Sequence, residues 1–82
     1  MVKVVFGDTF KKYFSRLKSP ALKGKIAKQI GKLESHPTLG KPMRYGRKGT
    51  RELYIKPYRL SYIYEKDSDT IILLELYHKD EQ

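Results

Sequence analysis

The stretch ELYIKPYRLSYIYEKDSDTIILLELY, residues 52–77, decides the fold because it contains three strand-like runs in succession. Glu52–Lys56 and Tyr58–Glu65 are rich in β-branched and aromatic residues, and only Pro57 separates them. The polar run 66–69 is typical of a turn, and Thr70–Tyr77 follows it as a third strand pattern. We therefore predict an antiparallel meander at the end of the chain.

Upstream of the meander the periodicity changes from strand to helix. Residues 2–6 form a short β-branched run, and Asp8–Lys18 then has apolar residues at helical spacing. Ser19 and Pro20 predict the start of a second helix that continues to about Glu34. The two apolar stripes are Phe10, Tyr13, Phe14 and Leu17, and then Leu22, Ile26, Ile30 and Leu33. The expected fold is α+β with the order β-α-α-β-β-β, in which a helical hairpin covers one face of a twisted antiparallel sheet.

Alternation along the strands predicts which side chains face the helices. The helix-facing set is Leu53, Ile55, Leu60, Tyr62, Tyr64, Ile72, Leu74 and Leu76. The opposite set is Glu52, Tyr54, Lys56, Arg59, Ser61, Glu75, Tyr77 and Lys79. We expect Tyr13, Tyr62 and Tyr64 to be packing residues, whereas Tyr45, Tyr54 and Tyr77 are the candidates for stacking on bases. The more polar face is the expected functional face.

The charge is strongly positive and unevenly distributed. The net charge is +9, with 16 basic and 3 acidic residues before position 60 and 2 basic and 6 acidic residues from there on. Such a field attracts polyanions, so RNA, DNA or an acidic protein is the expected partner, and plain solubility is the alternative explanation.

The basic side chains are densest in a glycine-containing loop, in which we expect a brief extended piece near Met43 to Tyr45. Its candidate RNA-binding residues are Lys41, Arg44, Tyr45, Arg47, Lys48 and Arg51.

Composition excludes several classes of protein. The chain of 82 residues is long enough for one domain, residues 1–82, and it contains no cysteine for disulfides or thiolate chemistry. No apolar run approaches the roughly 18 residues of a membrane span, and we expect a cytoplasmic protein with no membrane association. Acidic residues do not occur at metal-ligand spacing, so we expect no metal and no cofactor. Phosphate-binding loops and nucleophile elbows are missing as well.

Four short motifs, taken in order, resemble the RelE/ParE superfamily of toxins. They are Gly40-Lys41-Pro42, Arg51-Glu52-Leu53, Tyr58-Arg59-Leu60-Ser61-Tyr62 and Tyr77-His78-Lys79-Asp80. The resemblance covers the whole chain and is closest to archaeal RelE-like toxins. It implies the toxin of a type II toxin–antitoxin system, which cleaves messenger RNA at the ribosome without a metal and is held in a complex by a RelB-like, acidic and helical antitoxin.

RNA cleavage through the ribose 2′-hydroxyl needs a base, cations for the phosphate and a proton donor for the leaving oxygen. The resemblance implies that Arg59 and Lys79 are phosphate clamps. His78 is our hypothesis for proton transfer because an imidazole titrates near neutral pH. Lys56 and Tyr54 are further catalytic candidates.

Two departures from the bacterial RelE pattern keep alternatives open. Glu52 and Tyr54 occupy the positions of two lysines, and the base-stacking tyrosine after the last strand has no counterpart. The ParE branch, which lacks the ribonuclease residues and inhibits DNA gyrase, is therefore an alternative, and so is a plain RNA-binding module. A salt bridge between Arg59 and Glu75 would be a purely structural role for that arginine.

Overall fold

A computed structural model describes residues 2–43 and 49–78. These residues form two helices and one five-stranded sheet with the spatial order β1-β5-β4-β3-β2. The elements are β1 (Lys3–Phe6), α1 (Asp8–Arg16), α2 (Pro20–Ser35), β2 (Lys41–Pro42), β3 (Arg51–Ile55), β4 (Tyr58–Glu65) and β5 (Thr70–His78). Neither helix of the described part is long and apolar enough to cross a membrane. The predicted α+β class and element order are confirmed.

The sheet is antiparallel from β2 through β5, and β1 is added to its far edge in parallel with β5. The helical hairpin between β1 and the meander lets β1 run in the same direction as β5, because parallel neighbours need a long crossover. The sheet is therefore mixed rather than wholly antiparallel. The structure also contains one strand that the predicted order lacks. This strand is β2, at Lys41–Pro42, and it lies slightly before the extended piece expected near Met43.

The helices begin where the sequence permits close approach and capping. An added Cβ at Gly7 would lie 2.5 Å from the carbonyl oxygen of Leu73, so only glycine fits where the chain turns from β1 into α1. Helix α1 ends at Arg16, two residues before the expected end. Helix α2 begins as predicted, since the Ser19 hydroxyl accepts the Leu22 N–H at 3.2 Å and Pro20 follows it.

A β-bulge between β4 and β5 corrects the predicted face of two residues. Ser61 lies opposite Glu75, but the next residue of β4, Tyr62, lies opposite Leu73, so Leu74 has no direct partner. The extra residue reverses the inward and outward alternation along β5. The fully buried residues of β5 are consequently Ile71, Leu73 and Leu76. The expected inward positions of Ile72 and Leu74 were wrong, and that of Leu76 was right.

The core lies between the helices and one face of the sheet. Its buried apolar residues in the described part are Phe10, Ile26, Ile30, Leu33, Ile55, Leu60, Tyr62, Ile71, Leu73 and Leu76. Tyr64 packs against this core, so it and Tyr62 are packing residues as predicted. Tyr13 was expected in the core but is exposed, and its ring lies 5.9 Å from the guanidinium carbon of Arg16.

Candidate nucleic-acid interface

The face of the sheet away from the helices carries one connected group of polar side chains. Directly opposed residues of antiparallel strands share a face, and the register pairs Tyr54 with Arg59 and Arg59 with Tyr77. The same register pairs Glu52 with Ser61 and Ser61 with Glu75. We call this side the open face, defined by Glu52, Tyr54, Arg59, Ser61, Glu75 and Tyr77.

Glu52 is the centre of the open face. Its side chain is only 5% exposed, and its Oε1 lies 3.3 Å from Nη1 of Arg59. The Tyr77 hydroxyl donates a hydrogen bond to Oε2 of the same carboxylate. A buried carboxylate is costly unless it is paired and hydrogen-bonded, and these two partners meet that requirement. The expected alternative partner of Arg59, Glu75, is replaced by Glu52.

The bond between Glu52 and Tyr77 spans three strands. Glu52 is on β3 and Tyr77 is on β5, so the two backbones are separated by β4 and by about twice the 4.8 Å strand spacing. Only long side chains that lean toward each other above β4 can meet over that distance. Arg59 projects from β4 between them, and its guanidinium is held by Glu52 of β3.

Arg59 also contacts an exposed aromatic ring. Its guanidinium carbon lies 5.7 Å from the centroid of the Tyr54 ring, within the range of a cation–π contact. The Arg59 side chain is 36% exposed, and Tyr54 is 51% exposed. The Nε atom of Arg59 is buried and has no hydrogen-bond partner in the part of the chain that the structure describes. The guanidinium is thus anchored on one side and open on the other.

An open groove of about 910 Å³ lies beside this pair. Its wall on one side is formed by the loop and short strand at residues 39–43, and its other side is the open face. The lining residues are Leu39, Lys41, Pro42, Met43, Glu52, Leu53, Tyr54 and Arg59. The groove therefore brings together three of the predicted site residues, Lys41, Tyr54 and Arg59.

Arg51, in contrast, supports the loop that leads into β2. Its Nη1 donates to the carbonyl oxygens of Gly40 at 2.8 Å and Thr38 at 3.3 Å. Its register partner is the buried Tyr62, so it belongs to the face opposite the open face. The structure therefore separates Arg51 from the groove and gives its guanidinium a structural set of contacts.

The buried Tyr62 side chain also holds the loop of residues 37–40 in place. Its hydroxyl donates to the carbonyl of Pro37 at 2.8 Å and accepts the N–H of Gly40 at 2.8 Å. Burial raises the pKa of Tyr62 above its usual value, and the hydrogen bond from Gly40 opposes that shift. An added Cβ at Gly40 would lie 2.7 Å from the Tyr62 ring, so glycine is required there. These contacts fix the position of Lys41 at the groove.

His78 lies on the other side of the sheet from Arg59. It pairs with Tyr58 in the register, and the two rings meet edge to face with centroids 5.4 Å apart. Together with Arg16 of α1 they line a separate cavity of about 240 Å³. His78, our hypothesis for proton transfer, therefore does not share a face with Arg59, because neighbouring residues of a strand such as Tyr77 and His78 point to opposite faces.

The remaining predicted residues are at the periphery or outside the described part. Lys56 is exposed in the turn between β3 and β4, and its carbonyl accepts a hydrogen bond from Lys25 Nζ at 3.0 Å. Arg44, Tyr45, Arg47, Lys48 and Lys79 lie outside the described residues. Among the described residues no cluster of three or more histidine, aspartate or glutamate side chains is suitable for a metal ion.

Sequence reasoning missed the role of Glu52. It treated this residue as the replacement of a catalytic lysine, although the alternation had already placed it beside Arg59 on the open face. The available signal was charge pairing: Glu52 is one of the 3 acidic residues before position 60, among 16 basic ones. A lone acid on a basic surface is a natural partner for the arginine next to it.

Comparisons with known proteins agree with the fold and supply a family. The profile described as ParE toxin of type II toxin-antitoxin system, parDE, matches residues 4–82. No curated protein sequence matches at a significant level. Among solved structures, a chain of the toxin–antitoxin complex RelBE2 from Mycobacterium tuberculosis is 26% identical with a TM-score of 0.85, over 94% of this chain and 96% of that one.

Two further structures share the fold. A chain of the archaeal RelE-RelB complex from Pyrococcus horikoshii has a TM-score of 0.81 at 16% identity, over 99% of this chain and 98% of that one. A copper-bound mutant toxin from Helicobacter pylori has a TM-score of 0.76 at 27% identity, over 99% and 98%. Because the family profile covers nearly the entire sequence, the chain belongs to the ParE toxin family of type II toxin–antitoxin systems, within the RelE-like superfamily.

Proposed function

We propose that this toxin is an endoribonuclease that cleaves messenger RNA at the ribosome and so represses translation. The observation that carries the proposal is the Arg59 guanidinium, which is anchored by Glu52 and faces a groove that also contains Lys41. A cation held rigidly at a phosphate stabilises the negative charge that develops during cleavage, and it needs no reorganisation at that moment. The net charge of +9 supports the same choice of substrate.

Proton transfer in this proposal has several candidate groups. Tyr54 contacts Arg59, and Lys56 lies in the turn that joins β3 to β4. His78 and Lys79 stay candidates by family position. Since His78 is on the opposite face, its participation requires RNA to pass around the end of the sheet near Tyr58.

A cognate antitoxin is the second proposed partner. Chains of similar fold occur in the RelBE2 complex and in the archaeal RelE-RelB complex. We propose that this toxin likewise forms a heteromeric complex, in the cytoplasm, with an acidic, partly helical antitoxin that covers the positive surface.

The test is message cleavage in a translating cell extract. Purified toxin is added, and a defined message is followed by primer extension. We expect new 5′ ends with the native protein and none with Arg59→Ala, whereas Lys28→Ala, which removes one exposed charge from α2, cleaves normally. Intact message at saturating native protein would reject the ribonuclease.

Inhibition of DNA gyrase is the second candidate function. Two observations favour it: the matched family is named after ParE, and Glu52 neutralises Arg59 where the ribonuclease pattern has a lysine. A supercoiling assay with purified gyrase separates the two functions. Blocked supercoiling with intact message supports this candidate, and a protein that binds RNA but does neither would be a plain RNA-binding module.

A further inference from the structure

We propose that Tyr54 and Arg59 form a subsite for one unpaired nucleotide, in which the base stacks on the Tyr54 ring and a phosphate binds the Arg59 guanidinium. This inference rests on the proposed function for the choice of ligand, since it assigns part of a nucleic-acid substrate to the groove. It goes further by giving the two residues different parts of that substrate.

The exposure of Tyr54 is the first observation. A tyrosine on a sheet normally buries most of its ring, but Tyr54 is 51% exposed because no described element covers the open face. Its cross-strand partner is Arg59, whose guanidinium lies over one face of the ring at cation–π distance and leaves the other face for a base. The ring is therefore fixed in position and available as a flat apolar platform.

The groove provides a second wall for a base. Leu39 is 45% exposed, and it lines the groove with Pro42 and Met43 opposite the open face. These apolar side chains have no hydrogen-bonding groups that would select one base by its edges. A volume of about 910 Å³ is at the upper end of typical ligand pockets and admits a nucleotide with the strand that carries it.

The charges of the groove suit one phosphate. Lys41 and Arg59 are its described cations, and Glu52 is its described anion. The hydrogen bond from Arg59 to Glu52 uses Nη1 alone, whereas a guanidinium has five N–H donors. Donors are thus left for a phosphate on the exposed side. Because the described residues of the groove carry only a small net positive charge, ring stacking supplies a large share of the binding energy.

The sequence offers a matched control for this arrangement. Tyr13 is also an exposed tyrosine beside an arginine, at 38% exposure and 5.9 Å from Arg16. It lies on α1 and does not line the groove. A ring that acts only through surface exposure and a neighbouring cation would behave the same at both positions.

The experiment uses a single-stranded oligonucleotide with one 2-aminopurine and deoxyribose throughout, which lacks the attacking 2′-hydroxyl and is not cleaved. Stacking of 2-aminopurine on an aromatic ring quenches its fluorescence, so titration with the toxin gives both affinity and stacking. We expect quenching with the native protein, with Tyr54→Phe and with Tyr13→Ala. Tyr54→Leu, which keeps apolar bulk, should lose the quenching and bind roughly 5- to 100-fold more weakly.

Salt gives a second readout for the same variants. Arg59→Ala should weaken binding less at high salt than at low salt, because the contact between Arg59 and the phosphate is ionic. The loss of affinity caused by Tyr54→Leu should be the same at every salt concentration.

Equal quenching by native protein and Tyr54→Leu would overturn the subsite. If quenching depends on Tyr54 but no message is cleaved in the extract, the subsite stands and the ribonuclease function fails, so the two failures are distinct.

Discussion

Replacement of Tyr62 by phenylalanine tests how firmly the loop before β2 is held. The ring of Tyr62 is fully buried, and its hydroxyl makes two hydrogen bonds of 2.8 Å, to the Pro37 carbonyl and from the Gly40 N–H. Tyr62→Phe keeps the ring and leaves both backbone groups without this partner. An unsatisfied buried group costs about 1–3 kcal/mol, and Gly40 is buried while Pro37 is half-buried. We expect a loss of about 2–4 kcal/mol in the free energy of unfolding.

Urea unfolding followed by far-ultraviolet circular dichroism measures this loss. For a domain of this size, 2–4 kcal/mol corresponds to a fall in Tm of roughly 10–30 °C. Tyr58→Phe is the control, because its ring contacts His78 from a half-buried position at the far end of β4. A Tyr62→Phe variant within about 0.5 kcal/mol of the native protein would refute the idea that this hydroxyl holds the loop.

Three further outcomes follow from the same structure. Folding raises the pKa of Tyr62 above its usual value of about 10. The stability that the protonated Tyr62 hydroxyl contributes is therefore complete below pH 10, and it is lost as the pH rises through the folded pKa. In urea titrations at alkaline pH, the native protein should lose stability more steeply than Tyr62→Phe. Gly40→Ala should cost about 1–3 kcal/mol through contact with the Tyr62 ring, whereas Gly31→Ala, which has open space around it in α2, should gain about 0.5–1 kcal/mol in the same urea unfolding experiment. Glu52→Gln should lower the free energy of unfolding by about 1–2 kcal/mol, because it removes the charge that Arg59 pairs with. The same variant should bind a single-stranded oligonucleotide more tightly in a fluorescence anisotropy titration. Unchanged binding would contradict the neutralising role of Glu52.

The elements could be predicted from the sequence because most of them have a clear period. The stripe of α2 and its Ser19-Pro20 start are unambiguous, and β4 alternates apolar and polar positions around Arg59 and Ser61. The bulge could not be predicted, since Ile71 to Leu74 are four consecutive apolar residues. Such a run has no alternation, so nothing in it shows which residues point inward or where the phase reverses.

The site could be predicted only in part. Strict alternation in two neighbouring strands was enough to place Tyr54 and Arg59 together, and this prediction is confirmed in the geometry. The position of His78 was also available from alternation, because it follows Tyr77 directly and must point to the other face. The structural use of Arg51 was not available, since it depends on where the loop at Thr38 and Gly40 returns to the sheet.

The most direct test of the central claim is to map where RNA contacts the toxin. Backbone amide shifts of ¹⁵N-labelled protein are recorded while a non-cleavable single-stranded oligonucleotide is added. If the open face and its groove bind RNA, the largest changes fall in β3 around Tyr54, in β4 around Arg59 and in the wall around Lys41. Changes confined to α1 and α2, with those three regions unmoved, would contradict the account.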